Sequence, residues 1–282
     1  MRTATTGTAP LLIPAVVKVM GEYVSYFLIA FCATTAGSMT GMGGGVIIKP
    51  VLDVLHTFDV QTIGVLSAIT VFSMSVVSIG KQLFSRTHIP FSIAVPLALG
   101  SVAGGVLGQR LLSAAVNALP LNGLVMVFQN ILLSILILAV YLYMKNKDRW
   151  KGHCLKGVSV SLLVGVFLGC CSSFLGIGGG PINVALIIYL FSLDTKTATV
   201  CSLVTILFAQ ISKLWTVAMT TGFSVFDLSI APAMVVGAIV GGTLGATFNK
   251  RCRETTVEKA FNAVQLLVLA ISLFNIGRNL IS

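Results

Sequence analysis

The sequence GMGGG at positions 41–45 decides how the chain around it folds, and GIGGG at positions 176–180 repeats it. Each motif interrupts a stretch that is apolar enough to lie in a bilayer, and a second apolar run follows it, beginning at Val46 and at Pro181. Inside a helix each Gly costs about 1 kcal/mol relative to Ala. Glycine clusters at matched positions therefore predict two broken helices, a pattern that marks the binding site in membrane transporters.

The composition is typical of a polytopic membrane protein. Of the 282 residues, 56% are hydrophobic and 9% are charged, whereas about a quarter are charged in a soluble domain. The formal net charge of +10 does not indicate a nucleic-acid partner, because membrane proteins concentrate Lys and Arg in cytoplasmic loops. We expect a multi-pass protein of the inner membrane whose partners are the lipid bilayer and a small anionic substrate; the sequence leaves the oligomeric state open.

The chain divides into four parts. An N-terminal tail covers residues 1–21, a first membrane repeat 22–144, a basic cytoplasmic loop 145–156 and a second membrane repeat 157–282. Each repeat contains four long apolar segments and one short segment directly after its glycine motif. The segments are 23–40, 46–55, 63–79, 91–112 and 123–144 in the first repeat, and 157–175, 182–191, 198–218, 229–248 and 257–280 in the second. The long segments have the length of membrane-spanning helices.

The two halves share more than hydrophobicity. Polar residues recur at a constant spacing: Asp59, Thr62, Ser67 and Thr70 correspond to Asp194, Thr197, Ser202 and Thr205. A run of small residues recurs as well, with glycines at 100, 104, 105 and 108 and again at 237, 241, 242 and 245. Small residues four apart let membrane helices approach closely, so we interpret these runs as packing surfaces. Two homologous halves are the simplest explanation.

The orientation of the halves depends on the short segments. If these segments do not cross the membrane, each half has four crossings and the repeats are parallel. If they return across it, the second half is inverted, and the basic loops 81–86, 145–156 and 250–259 share one side with Lys196. The second arrangement fits the positive-inside rule better. We therefore expect an all-α protein of two inverted repeats, each with four long helices and a short half-helix after its GxGGG break.

The helix breaks are candidate anion sites. The first N–H groups of a helix have no partner within it, and the helix dipole places about half a positive charge there. Glycines let a ligand approach these N–H groups, as at the phosphate sites of soluble proteins. We expect Gly44 and Gly179 to expose such groups, and a positive φ would favour Gly at both. The candidate binding glycines are Gly41, Gly43, Gly44, Gly45, Gly176, Gly178, Gly179 and Gly180.

Polar side chains near the breaks extend this candidate site. Lys49 lies in an apolar stretch, where a charge is costly and often functional, although it could instead reach an interface. Asn183 could donate an amide N–H to an anion or bond a neighbouring helix. Hydroxyls recur in both halves at Ser67, Thr70, Ser202 and Thr205. Gln210 and Lys213 are three residues apart and could bind an anion or anchor the helix at an interface.

Residues for other chemistry are scarce. No Cys/His spacing indicates a metal site, no Ser/His/Asp or HExxH arrangement indicates a hydrolase, and neither glycine motif ends in the Lys-Ser/Thr of a P-loop. We therefore expect no enzyme activity, no metal and no cofactor. Of the eight carboxylates only Asp53 lies well within an apolar stretch, so the sequence does not indicate a proton relay of buried acids.

The two motifs also resemble a known family. GMGGG at 41–45 with Pro50 and Leu52, and its duplicate ending at Pro181, are similar to the sulfite exporter TauE/SafE family, although Ala185 stands where the first half has Pro50. The resemblance extends from about Val24 to the end of the chain. It implies an inner-membrane permease that exports small sulfur-containing anions such as sulfite, sulfoacetate or thiosulfate. Uptake, a channel-like anion pathway and a membrane scaffold subunit are the alternatives.

Overall fold

The computed structural model describes residues 9–84, 90–118, 122–150, 152–155, 157–177 and 179–281, with the side chains of the first helix described from residue 20. These residues form ten α-helices and two short 3₁₀ turns, with no strand among them. The helices are α1 (Ala9–Thr40), α2 (Gly45–Leu55), α3 (Val60–Phe84), α4 (Phe91–Ala118), α5 (Asn122–Lys145), α6 (Val158–Leu175), α7 (Pro181–Phe191), α8 (Thr195–Thr220), α9 (Ala231–Arg251) and α10 (Glu254–Ile281).

The all-helical prediction is confirmed, and each predicted segment corresponds to one helix. Within the described residues, seven helices are long and apolar enough to cross a membrane, namely α3 to α6 and α8 to α10. The helices α2 and α7 have only 11 residues each. α1 begins at Ala9, within the stretch that the sequence assigned to an N-terminal tail.

Both glycine motifs interrupt the helices where the sequence predicted breaks. α1 ends at Thr40 and α2 begins at Gly45, while Gly41 and Gly43 between them have φ of +76° and +75°. In the second half, Gly176 ends α6 with φ of +68° and its N–H donates to Ser173 O at 3.2 Å. These left-handed conformations cost an L-residue free energy that Gly avoids, which explains why glycines stand at the chain reversals.

The packing interpretation of the small-residue runs is confirmed. α4 packs closely against α6, and α9 against α1, so each half contributes a helix to the partner half. Successive glycines of α4 lie against successively later residues of α6: Gly100 against Leu162, Gly104 against Val166 and Gly108 against Cys170. A Cβ at any of these three glycines would overlap a backbone carbonyl of α6. The two helices therefore run in the same direction with their backbones in direct contact.

The second small-residue run packs in the same way. Successive glycines of α9 lie against successively later residues of α1: Gly237 against Phe27, Gly241 against Phe31 and Gly245 against Thr35. The pair formed by α9 and α1 is thus equivalent to the pair formed by α4 and α6. This exchange of helices joins the two repeats into one body.

The repeated Asp and Thr residues cap helices. Asp59 Oδ2 accepts a hydrogen bond from Thr62 N at 3.2 Å, and Asp194 Oδ2 accepts one from Thr197 N at 3.0 Å, at the starts of α3 and α8. Burial alone would raise the pKa of Asp194, but hydrogen bonds from the Thr197 side chain and from backbone N–H groups outweigh it, so the pKa lies below its usual value. Part of the internal repeat therefore encodes N-caps.

A matched pair of substitutions tests the close packing of α4 against α6. We expect Gly104→Ala to destabilise the folded protein by about 1–3 kcal/mol, since the new Cβ overlaps Val166 O and the helices must separate. Gly80→Ala in α3 is the control, because nothing lies within 4 Å of a Cβ at that position. Thermal unfolding of the detergent-purified variants measures the difference. Equal melting temperatures would contradict the packing account.

Candidate functional site

The two helix breaks meet inside the protein. A Cβ added at Gly45, the first residue of α2, would overlap Ile177 O and would lie 2.7 Å from Ser67 Oγ. Gly45, Ile177 and Ser67 are all buried. The start of α2, the loop between α6 and α7, and the face of α3 that carries Ser67 therefore converge at one point, which is where the sequence predicted a binding site.

Lys49 lies one turn after this point and forms a buried ion pair. Its Nζ is 2.8 Å from Asp53 Oδ2, and both side chains are almost fully buried. Asn130 from α5 donates a second hydrogen bond to the same carboxylate oxygen at 3.2 Å. Lys49 therefore does not extend to an interface. It is held inside the protein by a carboxylate on its own helix.

A second buried cation, Lys213 of α8, lies beside this pair. Its Nζ donates to Gly64 O at 3.0 Å, and only 2% of the residue is exposed. A Cβ added at Gly176 would lie 3.4 Å from Lys49 Cδ and Cε and 3.7 Å from Gly64 Cα. A Cβ at Gly64 would lie 3.3 Å from Lys213 Nζ, so Lys49, Lys213, Gly64 and Gly176 form one cluster.

The cluster has an excess of positive charge. Within the described part of the chain, Lys49, Asp53 and Lys213 are the only charged side chains that are buried. Two positive charges and one negative charge leave a formal charge of +1. The ion pairs found among the described residues are Lys49–Asp53 and Lys147–Glu258, so Lys213 has no carboxylate partner there. A buried cation without a counter-ion is costly, and in a membrane protein it indicates a functional site.

Neutral polar groups of the same helices lie near this charge. Ser67 is three residues from Gly64 on α3, and Gln210 is three residues from Lys213 on α8, so each pair shares one face of its helix. Ser67 Oγ and Gln210 Oε1 are buried and have no hydrogen-bond partner among the described residues. Unpaired buried polar atoms are uncommon in native proteins. The Ser67 hydroxyl can donate to an anion, whereas Gln210 Oε1 can only accept a hydrogen bond.

The other predicted hydroxyls already have backbone partners. Thr70 donates to Leu66 O at 2.7 Å and Thr205 to Cys201 O at 2.9 Å, each within its own helix. Ser202 donates to Gly41 O at 2.7 Å and so holds the first break. Among the four hydroxyls predicted, only Ser67 has a buried oxygen without a partner in the described structure.

The second break has a different environment. Gly179 has φ of +112°, and a Cβ there would overlap Ile206 and lie 3.5 Å from Asn183 Nδ2. Asn183 is buried, and its Oδ1 has no partner in the described part of the chain. Gly180 is the residue before α7. Gly178 lies outside the described residues.

The backbone at Gly44 does not require a glycine. Gly44 has φ of −64° and ψ of −21°, a right-handed conformation that any residue can adopt. A side chain is excluded there for a different reason, because a Cβ would lie 2.7 Å from Thr34 Cγ2. At Gly179 the positive φ is present.

The sequence interpretation missed part of this site. Lys49 and Asp53 are four residues apart, the spacing of an intrahelical ion pair, so their pairing was readable from the sequence. Lys213 was considered, and the structure places it inside rather than at an interface. Asn130 had a weaker signal, since it and Gln129 are adjacent amides in an apolar helix, where polar side chains usually have a protein partner. That this partner is Asp53 follows only from the packing of α5 against α2.

A basic cavity lies at one end of the molecule, where α3 and α9 end. Its volume is about 270 Å³, and it is lined by Lys81, Gln82, Ala246, Thr247, Lys250 and Arg251. Lys81 Nζ donates to Thr243 O at 3.1 Å and also to the Thr247 hydroxyl. The lining has three cations and no carboxylate. Asn249, beside the cavity, donates to Met39 O at 2.7 Å, two residues before the first glycine motif.

These features together define a class of protein. The described residues contain seven candidate membrane spans, glycine breaks at two helix ends, and a buried cation beside the breaks that has no carboxylate partner among them. These are features of a multi-pass membrane transporter.

Comparisons with known proteins agree with this class. The family model described as sulfite exporter TauE/SafE matches residues 26–273. The probable membrane transporter protein YunE of Bacillus subtilis (strain 168) is 24% identical over 271 residues, covering 88% of this chain and 96% of that protein. No solved structure matches the chain significantly. The chain belongs to the sulfite exporter TauE/SafE family, whose members are transporters rather than enzymes.

Double substitution tests the buried ion pair. We expect Lys49→Met to destabilise the protein by about 3–5 kcal/mol, because Asp53 is left as an uncompensated buried charge. Lys49→Met combined with Asp53→Leu should recover most of this loss, since neither charge then remains. Unfolding by SDS titration in mixed micelles measures the free energies. A double variant no more stable than the single variant would show that the pair does not form.

Proposed function

We propose that this transporter exports small sulfur-containing anions, such as sulfite, sulfoacetate or another organosulfonate, or thiosulfate, across the inner membrane. The proposal rests on one observation: Lys213 is buried and has no carboxylate partner in the described structure. An anion bound beside it would neutralise the cluster. The family name indicates sulfur-containing substrates, and the buried cation indicates that the substrate is an anion.

The helix starts add to the attraction. The first hydrogen bonds of α2 run from the N–H groups of Ile47 and Ile48 to Gly44 O, so the N–H groups of Gly45 and Val46 have no partner within the helix. α2 therefore presents the positive end of its dipole close to Ser67. This is the arrangement by which helix starts hold oxyanions.

Helix directions support inverted repeats. α4 runs parallel to α6, and α9 runs parallel to α1, as the glycine contacts establish. α3 also runs parallel to α9, since Ser78 contacts Gly242 and the later Lys81 contacts Thr243 and Thr247. α3 and α4 are joined by only six residues, 85–90, so if both span the membrane they must be antiparallel. α1 and its counterpart α6 then run in opposite directions.

Contacts among the basic segments support the same orientation. Lys147 of the central loop pairs with Glu258 of α10, and Lys196 at the start of α8 donates to Lys250 O at 3.4 Å. Glu254 accepts a hydrogen bond from Thr195 N at 2.7 Å. The central loop, the start of α8 and the end of α9 thus lie at one end of the molecule. Parallel eight-crossing repeats would place Lys196 opposite the central loop, so the inverted arrangement fits better.

The position of the basic cavity supports export. By the positive-inside rule, the end that carries Lys81, Lys147, Lys196 and Lys250 is cytoplasmic. The basic cavity opens at that end, and Asn249 connects its wall to the segment before the first glycine motif. Clefts of one charge sign concentrate ligands of the opposite sign. Anions would therefore collect on the cytoplasmic side before they reach the buried cluster.

The cluster is closed to solvent on both sides in this structure. Lys49 and Lys213 are each 2% exposed, and Ser67 and Gln210 are fully buried. A transporter must open such a site alternately to each side. The interlocked pairs α1–α9 and α4–α6 are the bodies that could move as units, because their backbones are in direct contact.

Replacement of Lys213 tests the proposed function. In proteoliposomes we expect Lys213→Gln to lower the transport of ³⁵S-labelled sulfite by at least about tenfold, since a lost charge-assisted contact exceeds about 1.4 kcal/mol. Gln can still donate to Gly64 O, so the change removes mainly charge. Lys259→Gln on exposed α10 is the matched control and should retain the parent rate. A parent protein that moves no sulfur anion, or a Lys213→Gln variant that matches it, would overturn the proposal.

The native thiol in the central loop tests the orientation. Cys154 is exposed, so we expect a variant that keeps only this cysteine to react with a membrane-impermeant maleimide in inside-out vesicles but not in intact cells. A cysteine added after Ser282 should react in intact cells, because an inverted second half ends in the periplasm. Labelling of both cysteines from the same side would contradict the inverted arrangement.

A further inference from the structure

We infer that the buried site selects oxyanions with a single negative charge, and that Asp53 sets this valence by neutralising Lys49. The inference rests on the proposed function, because it concerns the same anion site. It narrows the substrates by their charge, which neither the family description nor the relative's name specifies.

The formal charge of the site comes from three side chains, to which the start of α2 adds the partial positive charge of its dipole. α2 contributes Lys49 and Asp53, and α8 contributes Lys213. The other elements packed against Asp53 and the two lysines contribute neutral groups, such as Asn130 from α5 and Gly64 from α3. Arg278 of α10 donates to Val54 O at 2.9 Å but is exposed, so solvent screens its charge. The formal charge inside remains +1.

Asp53 is fixed beside Lys49 by an ion pair and a second hydrogen bond. The Nζ to Oδ2 distance is 2.8 Å, Asp53 is fully buried, and Asn130 donates to the same oxygen at 3.2 Å. The two residues also share one short helix, at the spacing that brings side chains together. An arriving anion therefore meets Lys49 already neutralised and Lys213 without a carboxylate partner in the described structure.

The charge balance then depends on the anion. A singly charged anion beside Lys213 makes the cluster neutral, with two cations facing two anions. A doubly charged anion leaves one uncompensated negative charge in the protein interior, where an unpaired charge is strongly unfavourable. Specificity of this kind comes from the penalty on the wrong ligand as much as from attraction to the right one. Bisulfite and singly charged sulfonates fit the site. The inference therefore removes thiosulfate and sulfoacetate, both doubly charged at neutral pH, from the substrates proposed above, and it excludes sulfate.

Two anions of similar shape provide the test. Methanesulfonate and sulfate are both tetrahedral at sulfur and differ in charge, and neither titrates near neutral pH. Calorimetry on the detergent-purified protein, together with competition against labelled sulfite in proteoliposomes, measures each anion. We expect the parent to prefer methanesulfonate by about tenfold or more, because one unpaired buried charge outweighs the 1.4 kcal/mol of a tenfold difference.

Removal of the Asp53 charge should reverse the preference. Asp53→Asn keeps a group that can accept from Lys49 but raises the formal charge to +2, so we expect sulfate to bind more tightly than methanesulfonate. Asp227→Asn, at an exposed loop position, is the control and should keep the parent ratio. An Asp53→Asn variant that is folded and retains the parent ratio would overturn the inference.

A second variant protects the test against misfolding of the first. Lys49→Met with Asp53→Leu removes both charges of the pair and leaves the site at +1, so the preference for methanesulfonate over sulfate should persist. Loss of that preference would show that the ion pair does not set the valence through charge. If the parent transports sulfite but does not distinguish the two anions, the inference fails and the proposed function stands. If the parent binds and moves no anion, the proposed function fails.

Discussion

Inside a bilayer no water is present to hydrogen-bond with polar groups, so each polar group must find its partner within the protein. The rest of the structure depends on this constraint. Two helices are broken by glycines, and every break frees backbone groups that protein must satisfy. Each break is packed against residues of the opposite half. The start of α2 abuts Ile177 of the second break, and Ser202 of α8 holds the Gly41 carbonyl of the first. Each half therefore contributes residues that pack around the break in the other half.

The same constraint explains why the halves exchange helices. Apolar side chains gain nothing from leaving lipid, so helices associate through close backbone contact. The small-residue runs on α4 and α9 supply that contact against α6 and α1. Because the tightest interfaces join elements of different repeats, a movement of one repeat must carry helices of the other. The two breaks are therefore linked through the interfaces of α4 with α6 and of α9 with α1, in addition to their direct contact.

The two halves share their glycine motifs and packing glycines, but they do not share the buried charged residues. The positions that correspond to Lys49, Asp53 and Lys213 in the opposite repeat are Val184, Ile188 and Ser78. Asn183 faces the second break instead, beside Gly179. The anion site that we propose therefore draws different residues from the two halves. One break carries the cations, and the other supplies backbone and an amide.

The sequence by itself determined the helical class, the approximate positions of the membrane segments, the two breaks and the family, because glycine clusters and apolar length act locally along the chain. It did not determine the helix limits, since α1 begins at Ala9. The sequence also contains Lys49 and Asp53 at a spacing of four residues, which places their side chains together on one helix. Only the tertiary structure decided which candidates belong together. Thr70 and Thr205 bond their own helices, whereas Ser67 remains unpaired in the described structure. Lys213 could equally have reached an interface, and its burial depends on α8 packing against α3. Local pattern fixes where a helix breaks, but the excess charge at that break arises from residues that are distant in sequence and meet only when the two halves interlock.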